Sequence, residues 1–255
     1  MGLIVDSANF SYGIEPVLKD ISFSVSKGSF CAILGSNGSG KTTLLKSLNK
    51  LITLDSGNIS INSQDISTLP QNEIAKLVSF VPQEHDSIAP YSVIEIVVMG
   101  MAPYLGVSQL PKTNDYEHAR AVLKTLNALH LENKLFSQIS GGERQIAILA
   151  RALVQQAPFI LLDEPSNHLD FSRKSLLLKL LKKICLEESK TIITTTHDPN
   201  LISSLADYVL MIKNGRICYE GLPETVLTSS NLSEIYGVNI ESHTTVNGKV
   251  LFHSD

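Results

Sequence analysis

Phe30-Cys31-Ala32-Ile33-Leu34 runs straight into Gly35-Ser36-Asn37-Gly38-Ser39-Gly40-Lys41-Thr42-Thr43, and the rest of the chain is read outward from this stretch. Five apolar residues bounded by turn formers predict a buried strand. The glycines that follow let the backbone curl until its N–H groups point inward, a geometry that cradles phosphate oxygens. Leu44-Leu45-Lys46-Ser47-Leu48 has helical spacing, and the positive end of that helix dipole adds to the attraction. The order G-x-x-x-x-G-K-[ST] is the phosphate-binding P-loop, with Lys41 reaching the β- and γ-phosphates and the Thr42 hydroxyl holding Mg²⁺. A chance glycine turn would need neither the lysine nor the hydroxyl. The stretch predicts a nucleoside triphosphate site in an α/β domain.

Composition narrows the function classes. The chain has 255 residues, 43% hydrophobic and 18% charged, which suits a large globular core and argues against disorder. A net charge of -4 leaves no basic footprint, so no nucleic-acid partner is expected. Cys31, Cys185 and Cys218 lie far apart and are expected as buried, reduced thiols. The opening residues carry no basic segment followed by an apolar run, and Asp6 stands where a myristoylation motif needs Ser or Thr. The apolar stretch 93–107 is broken by Glu95, Gly100 and Pro103 and is too short to span a bilayer. Any membrane role is expected to run through a partner.

On the N-terminal side, Leu3-Ile4-Val5 and Ile21-Ser22-Phe23-Ser24-Val25 read as antiparallel strands. Phe10-Ser11-Tyr12-Gly13 between them reads as a loop. Tyr12 either packs in the core or offers its ring to adenine, a stacking contact worth about 1–3 kcal/mol per base. On the C-terminal side, residues 57–61 read as a strand, 71–77 as a short helix and 78–81 as a strand ending near Gln83. That glutamine touches Mg²⁺ or the attacking water only if its strand lies beside the P-loop strand. Residues 84–156 then read as helical.

Pro158-Phe159-Ile160-Leu161-Leu162 is a buried parallel strand by pattern, and ligands sit at the carboxyl ends of such strands. Its end carries Asp163, placed to order Mg²⁺, and Glu164, placed as general base, a role worth about 10²–10⁴-fold in rate. Both acids are expected to neighbour the P-loop. Residues 172–186 form an amphipathic helix, with Leu176, Leu180 and Ile184 inward and Leu177 and Leu181 beside them. Thr191-Ile192-Ile193-Thr194-Thr195-Thr196 is a further strand ending at His197. A lone histidine is often structural, but one at a third strand end reaches a γ-phosphate. Residues 208–219 read as a hairpin turning at Asn214-Gly215, and the tail holds short helices and a last strand pair.

Ser140-Gly141-Gly142-Glu143 has capping-box form, a serine N-cap with glutamate three residues on. Two glycines in a first helical turn cost about 0.5–1 kcal/mol each relative to alanine, so something approaches the backbone closely. With its serine hydroxyl free, this helix start suits an anion. A helix packed tightly against a neighbour would use the same residues, and these four alone do not decide.

Taken in order, the P-loop, Gln83, Ser140-Gly141-Gly142-Glu143-Arg144-Gln145, Leu161-Leu162-Asp163-Glu164-Pro165, Ser166-Asn167-His168-Leu169-Asp170 and His197-Asp198 resemble the ATP-binding-cassette ATPases over nearly the whole chain. The resemblance implies a P-loop NTPase, RecA-like α/β core with antiparallel strands (1–83 and 158–221), an inserted helical subdomain (84–157) and a C-terminal extension (222–255), all one domain. It implies ATP and Mg²⁺ as cofactors and a second copy as partner, closing head to tail around two ATP molecules. Each site would join one chain's P-loop to the other's Ser140, Gly141 and Gly142, with Asp170 at the interface. Ile139, Ser36 and Ser166 depart from the family's usual leucine, proline and threonine.

Val93-Ile94-Glu95-Ile96-Val97-Val98-Met99-Gly100 and Leu232-Ser233-Glu234-Ile235-Tyr236-Gly237-Val238 resemble the subunits of iron-siderophore, haem and cobalamin importers. That implies membrane-embedded permease subunits docked beside residues 83–104, a peripheral place on the cytoplasmic face of the cell membrane, and an extracytoplasmic substrate-binding protein. The alternatives are a cytosolic ATPase of iron–sulfur assembly and an importer of another substrate such as molybdate or zinc.

Overall fold

The computed structural model describes residues 2–83, 90–106, 108–167, 169, 171–246 and 248–254, without the side chains of 171–173. The chain opens with β1 (Leu3–Tyr12), β2 (Glu15–Val25) and β3 (Phe30–Leu34), which feeds the glycine loop and α1 (Lys41–Leu48). β4 (Ser56–Ile61), β5 (Gln64–Asp65), α2 (Gln71–Leu77) and β6 (Val78–Val81) follow. Next come α3 (Val93–Val98), α4 (Thr113–Thr125) and α5 (Gly141–Val154), then β7 (Phe159–Asp163), α6 (Phe171–Glu187), β8 (Thr191–Thr196) and α7 (Pro199–Ile202). β9 (Tyr208–Lys213), β10 (Arg216–Gly221), α8 (Pro223–Val226), α9 (Ser229–Tyr236), β11 (Ile240–Thr244) and β12 (Val250–Ser254) complete it.

The larger sheet has the order β10-β9-β3-β8-β7-β6 and the smaller β2-β1-β4-β5. From β9 to β6 the pairings of the larger sheet are parallel. β3, β7 and β8 are buried at every residue, because a parallel sheet covered on both faces has no polar side. The smaller sheet is antiparallel, and its inner residues share a core with α1 and one face of the larger sheet. The second face packs against α3–α6, and β3 and β9 also meet α8 and α9. At the β9–β10 turn, Asn214 (φ 51°) and Gly215 (φ 79°) are both left-handed, the I′ pattern whose twist matches a hairpin. Among the described residues no helix is long and apolar enough to cross a membrane.

Three expectations need correction, and one condition is not met. The acids at the end of β7 do neighbour the P-loop, with Glu164 3.8 Å from Lys41. However, β8 and β7 separate β6 from the P-loop strand, so Gln83 lines the loop's cavity without its strand lying beside that strand. Several equally apolar runs can fill these places, and the crossovers choose among them. Phe10-Ser11-Tyr12 is strand rather than loop. Register shifts near Phe10 carry β1 through to Tyr12, and Gly13 makes the turn. On α6, Leu176 is 61% exposed, whereas Leu177, Leu181, Ile184 and Cys185 are buried in a cluster that includes Ile192 of β8. Five leucines in six positions make two stripes equally apolar, and the packing partner picks one. Cys218 is exposed rather than buried, since it lies on edge strand β10.

Candidate functional site

The P-loop is shaped by what glycine lacks. A Cβ on Gly35 would lie 2.3 Å from the Ile212 carbonyl oxygen and 2.6 Å from Ser39 Oγ, so the loop is closed to any side chain there. Gly38 and Gly40 adopt φ of 76° and 106°, left-handed values that suit glycine. Gly40 is the N-cap of α1, which has no side-chain cap and no acid in its first turn. Ser39 Oγ is buried without a hydrogen-bond partner, which marks a polar group that a ligand oxygen would satisfy. The Gly215 N–H braces the loop by donating to Ser39 O at 3.1 Å. A cavity of about 390 Å³ is lined by residues 37–43 together with Val17, Gln83 and Glu164.

Lys41 is buried, and its Nζ donates to the carbonyls of Gly35 (2.9 Å) and Ser36 (3.1 Å). It also lies 3.8 Å from Glu164 Oε1. Burial pushes the Lys41 ammonium below the ordinary lysine value, against the pull of Glu164 and Asp163. A desolvated cation held by two carbonyls and one carboxylate gains from a phosphate oxygen placed within its reach.

The two acids at the end of β7 are tied to β8 by one hydroxyl. Thr195 Oγ1 donates to Asp163 Oδ1 at 2.6 Å and accepts from the Glu164 N–H at 2.9 Å. Asp163 is 1% exposed, and Glu164 sits at a φ of 47°, costly for a residue with a side chain. The threonine thus fixes the Asp163 carboxylate and the backbone that carries Glu164. Glu164 Oε2 takes a hydrogen bond from Asn167 Nδ2 and lies 3.3 Å from His197 Nδ1. Lysine, asparagine and histidine therefore surround one carboxylate.

Ser140 caps α5 as a closed capping box. Its hydroxyl is not free: Oγ donates to Glu143 Oε2 at 2.7 Å, and the Ser140 N–H donates to the same oxygen at 2.8 Å. Gly141 is exposed and Gly142 buried. Arg144 donates to the Phe136 and Ser137 carbonyls, which steadies the approach to the helix.

The fold thus gathers Asn37, Gly38, Ser39, Gly40, Lys41, Thr42, Thr43, Gln83 and Glu164 around one cavity. Gly35 and Ser36 join through their carbonyls, and Asp163 and His197 through Thr195 and Glu164. Tyr12, exposed and edge-on to Phe10 at 4.8 Å, and Ser140, Gly141 and Gly142 are not among the described residues lining that cavity. Asp170 and His168 lie outside the described residues. Sequence reasoning passed over Val17, Thr195 and Gly215 and gave Asn167 no role. Only Asn167, inside a motif, carried a signal.

The sequence profile described as ABC transporter matches residues 18–167. The petrobactin import ATP-binding protein of Bacillus subtilis is 36% identical over 247 residues, covering 96% of this chain and 97% of that protein. The molybdate import ATP-binding protein of Haemophilus influenzae is 34% identical over 235 residues, 92% of this chain and 87% of that protein. A solved metal-chelate-type ABC transporter in an inward-facing conformation matches with a TM-score of 0.88 at 30% identity, covering 100% of this chain and 97% of that one. With its P-loop cavity, its acids at the strand end and relatives along its whole length, this chain belongs to the ABC transporter family, as an ATP-binding subunit.

Proposed function

We propose that this chain hydrolyses ATP to drive an importer of a metal chelate of the iron-siderophore, haem or cobalamin kind. The observation that carries the reading is the meeting of Lys41, His197 and Glu164 at the mouth of one P-loop, in a cassette related end to end to a petrobactin importer's ATP-binding protein. Residues 35–43 cradle the phosphates through their N–H groups, and Lys41 leaves the Gly35 and Ser36 carbonyls to reach the β- and γ-oxygens. Tyr12 offers its exposed ring to adenine. Thr42, Gln83 and Asp163 bring hydroxyl, amide and carboxylate oxygens, the hard donors that suit Mg²⁺. When bound, that ion neutralises charge on the phosphates. Glu164 takes a proton from water as the water oxygen bonds to the γ-phosphorus. The bond to the β–γ bridging oxygen breaks, leaving ADP and phosphate. His197 steadies the γ-phosphate from the Glu164 side.

A second copy completes the site head to tail with its Ser140, Gly141 and Gly142, and Asp170 lies at the same interface. The core (1–83 and 158–221), the helical subdomain (84–157) and the extension (222–255) form one cassette. It sits on the cytoplasmic face of the cell membrane by docking residues 83–104 on permease subunits, and a substrate-binding protein outside delivers the cargo. One observation favours another cargo: the molybdate relative is nearly as similar as the petrobactin one. Uptake of labelled ferric siderophore and of molybdate, in cells with and without the chain, separates the two.

Glu164→Gln tests the chemistry. Steady-state phosphate release should fall about 10²–10⁴-fold, while ATP still binds and an ATP-loaded dimer accumulates on gel filtration. Normal turnover by this variant would remove Glu164 as the base.

A further inference from the structure

His197 reaches Glu164 with its side chain, but its backbone is held from the far end of the chain. Tyr236, the last residue of α9, donates its hydroxyl to the His197 carbonyl oxygen at 2.9 Å. Three residues past His197, the Asn200 side chain exchanges two hydrogen bonds with the Phe252 backbone of β12. Nδ2 donates to Phe252 O at 2.8 Å, and the Phe252 N–H donates to Oδ1 at 2.8 Å. The intervening turn is stiffened locally, with the Asn200 N–H donating to Asp198 Oδ1 at 2.9 Å. The turn that leaves His197 is therefore fastened to the C-terminal extension at two points, the His197 carbonyl and the Asn200 side chain.

The extension is itself packed and bonded onto the core. Leu232 and Ile235 of α9 are buried with Val209 and Met211 of β9, Ile202 of α7 and Phe252. On its polar side Tyr219 donates to Glu234 Oε2 at 2.6 Å, and Lys213 Nζ donates to the Glu234 carbonyl. Gly237, left-handed at φ 72°, ends the helix one residue after Tyr236, and the Ile240 N–H is caught by Ser233 Oγ at 2.9 Å. A cavity of about 250 Å³ remains between the extension and the His197 turn, room for the turn to shift if the bonds were cut. Burial, helped by Asp198 and Glu164, pushes the Tyr236 hydroxyl above the ordinary tyrosine value.

We infer that the C-terminal extension sets the position of His197 over Glu164, with Tyr236 and Asn200 as positioning residues for ATP hydrolysis. This rests on the reading of His197 as a γ-phosphate contact. The hydrogen bond fixes the plane of the His197 peptide and hence the direction from which the imidazole meets the carboxylate. It touches no nucleotide, so its loss should act on turnover and leave binding alone.

The test uses the full chain. Tyr236→Phe keeps the ring and removes one hydroxyl; kcat should fall about three- to tenfold, with KM for ATP within about twofold and the thermal midpoint lowered by no more than a few degrees. Asn200→Ala, which cuts the two bonds at the second anchor point, should show the same split. His197→Ala should be slower than either, and adding Tyr236→Phe to it should cause no further loss, because both act through one group. Wild-type kcat in both Tyr236→Phe and Asn200→Ala, or additive losses in the double variant, would overturn the inference while leaving the role of His197 standing. Full turnover by His197→Ala would instead remove the histidine role, and this inference with it.

Discussion

Two helices in this chain begin at glycines and invite the same ligand, yet they are built in opposite ways. α1 starts from left-handed Gly40 with no side-chain cap and no acid in its first turn. α5 starts from Ser140 with both halves of a capping box closed and Glu143 in its first turn. Every helix start carries unpaired N–H groups and the positive end of the dipole. α1 keeps that end open beside a cavity of about 390 Å³, whereas α5 answers it with its own carboxylate. The first has the form of an anion site within one chain. The second is a self-sufficient cap, so that a phosphate brought by a second copy, as proposed above, would compete with Glu143 for the Ser140 hydroxyl.

Ser140→Arg is the harshest way to break this contrast. Ser140 does not line its own chain's P-loop cavity, so equilibrium nucleotide binding to the monomer should stay within about twofold, whereas turnover should fall about 10²-fold or more, as when a preorganised phosphate donor is lost. Normal hydrolysis would sink the two-chain site. Lost binding would place Ser140 at its own chain's nucleotide.

A smaller effect probes how the open end holds its acids. Thr195→Val keeps the branched shape but leaves Asp163 Oδ1 and the Glu164 N–H without their shared hydroxyl. Unpairing buried polar groups costs about 1–3 kcal/mol, read as a lower denaturant midpoint at constant slope. An unchanged midpoint would mean that β8 secures neither the Asp163 carboxylate nor the Glu164 backbone. If turnover falls in proportion to this loss, the positive φ of Glu164 is held by the same bond.

The legible parts of the molecule are those whose constraints are local. β3, the P-loop and α1 follow from one unbroken run of residues, Phe30 to Leu48, in which apolar run, glycines and helix period agree. The order of strands is not local. That β8 separates β3 from β7 depends on which crossover packs where, and Thr195 looks like any other threonine in a β-branched run until Asp163 is seen beside it. The exposed stripe of α6 was misjudged for a related reason: with leucine at 176, 177, 178, 180 and 181, the partner surface decides which of them is buried. The capping box of α5 was legible as a pattern. The closure of its hydroxyl onto Glu143 was not, because spacing shows which groups can meet and not which of two acceptors wins.

The gentlest test concerns that competition. Glu143→Gln keeps an oxygen that can accept from the Ser140 N–H and hydroxyl but removes the charge that favours the helix start. The cost in stability should be about 0.3–1 kcal/mol, the usual worth of an acid at a dipole's positive end. The hydroxyl should also be easier to win, since a hydrogen bond to a carboxylate is about twice as strong as one to a neutral amide. ATP-dependent association of two copies, measured by analytical ultracentrifugation, should then be as tight as wild type or tighter, despite the less stable monomer. Weaker association would mean that Glu143 helps to present the serine to the partner's phosphate rather than competing with it, and α5 would then be a prearranged donor. In that event the two helix starts would differ in which chain supplies the phosphate and not in how ready they are to bind it.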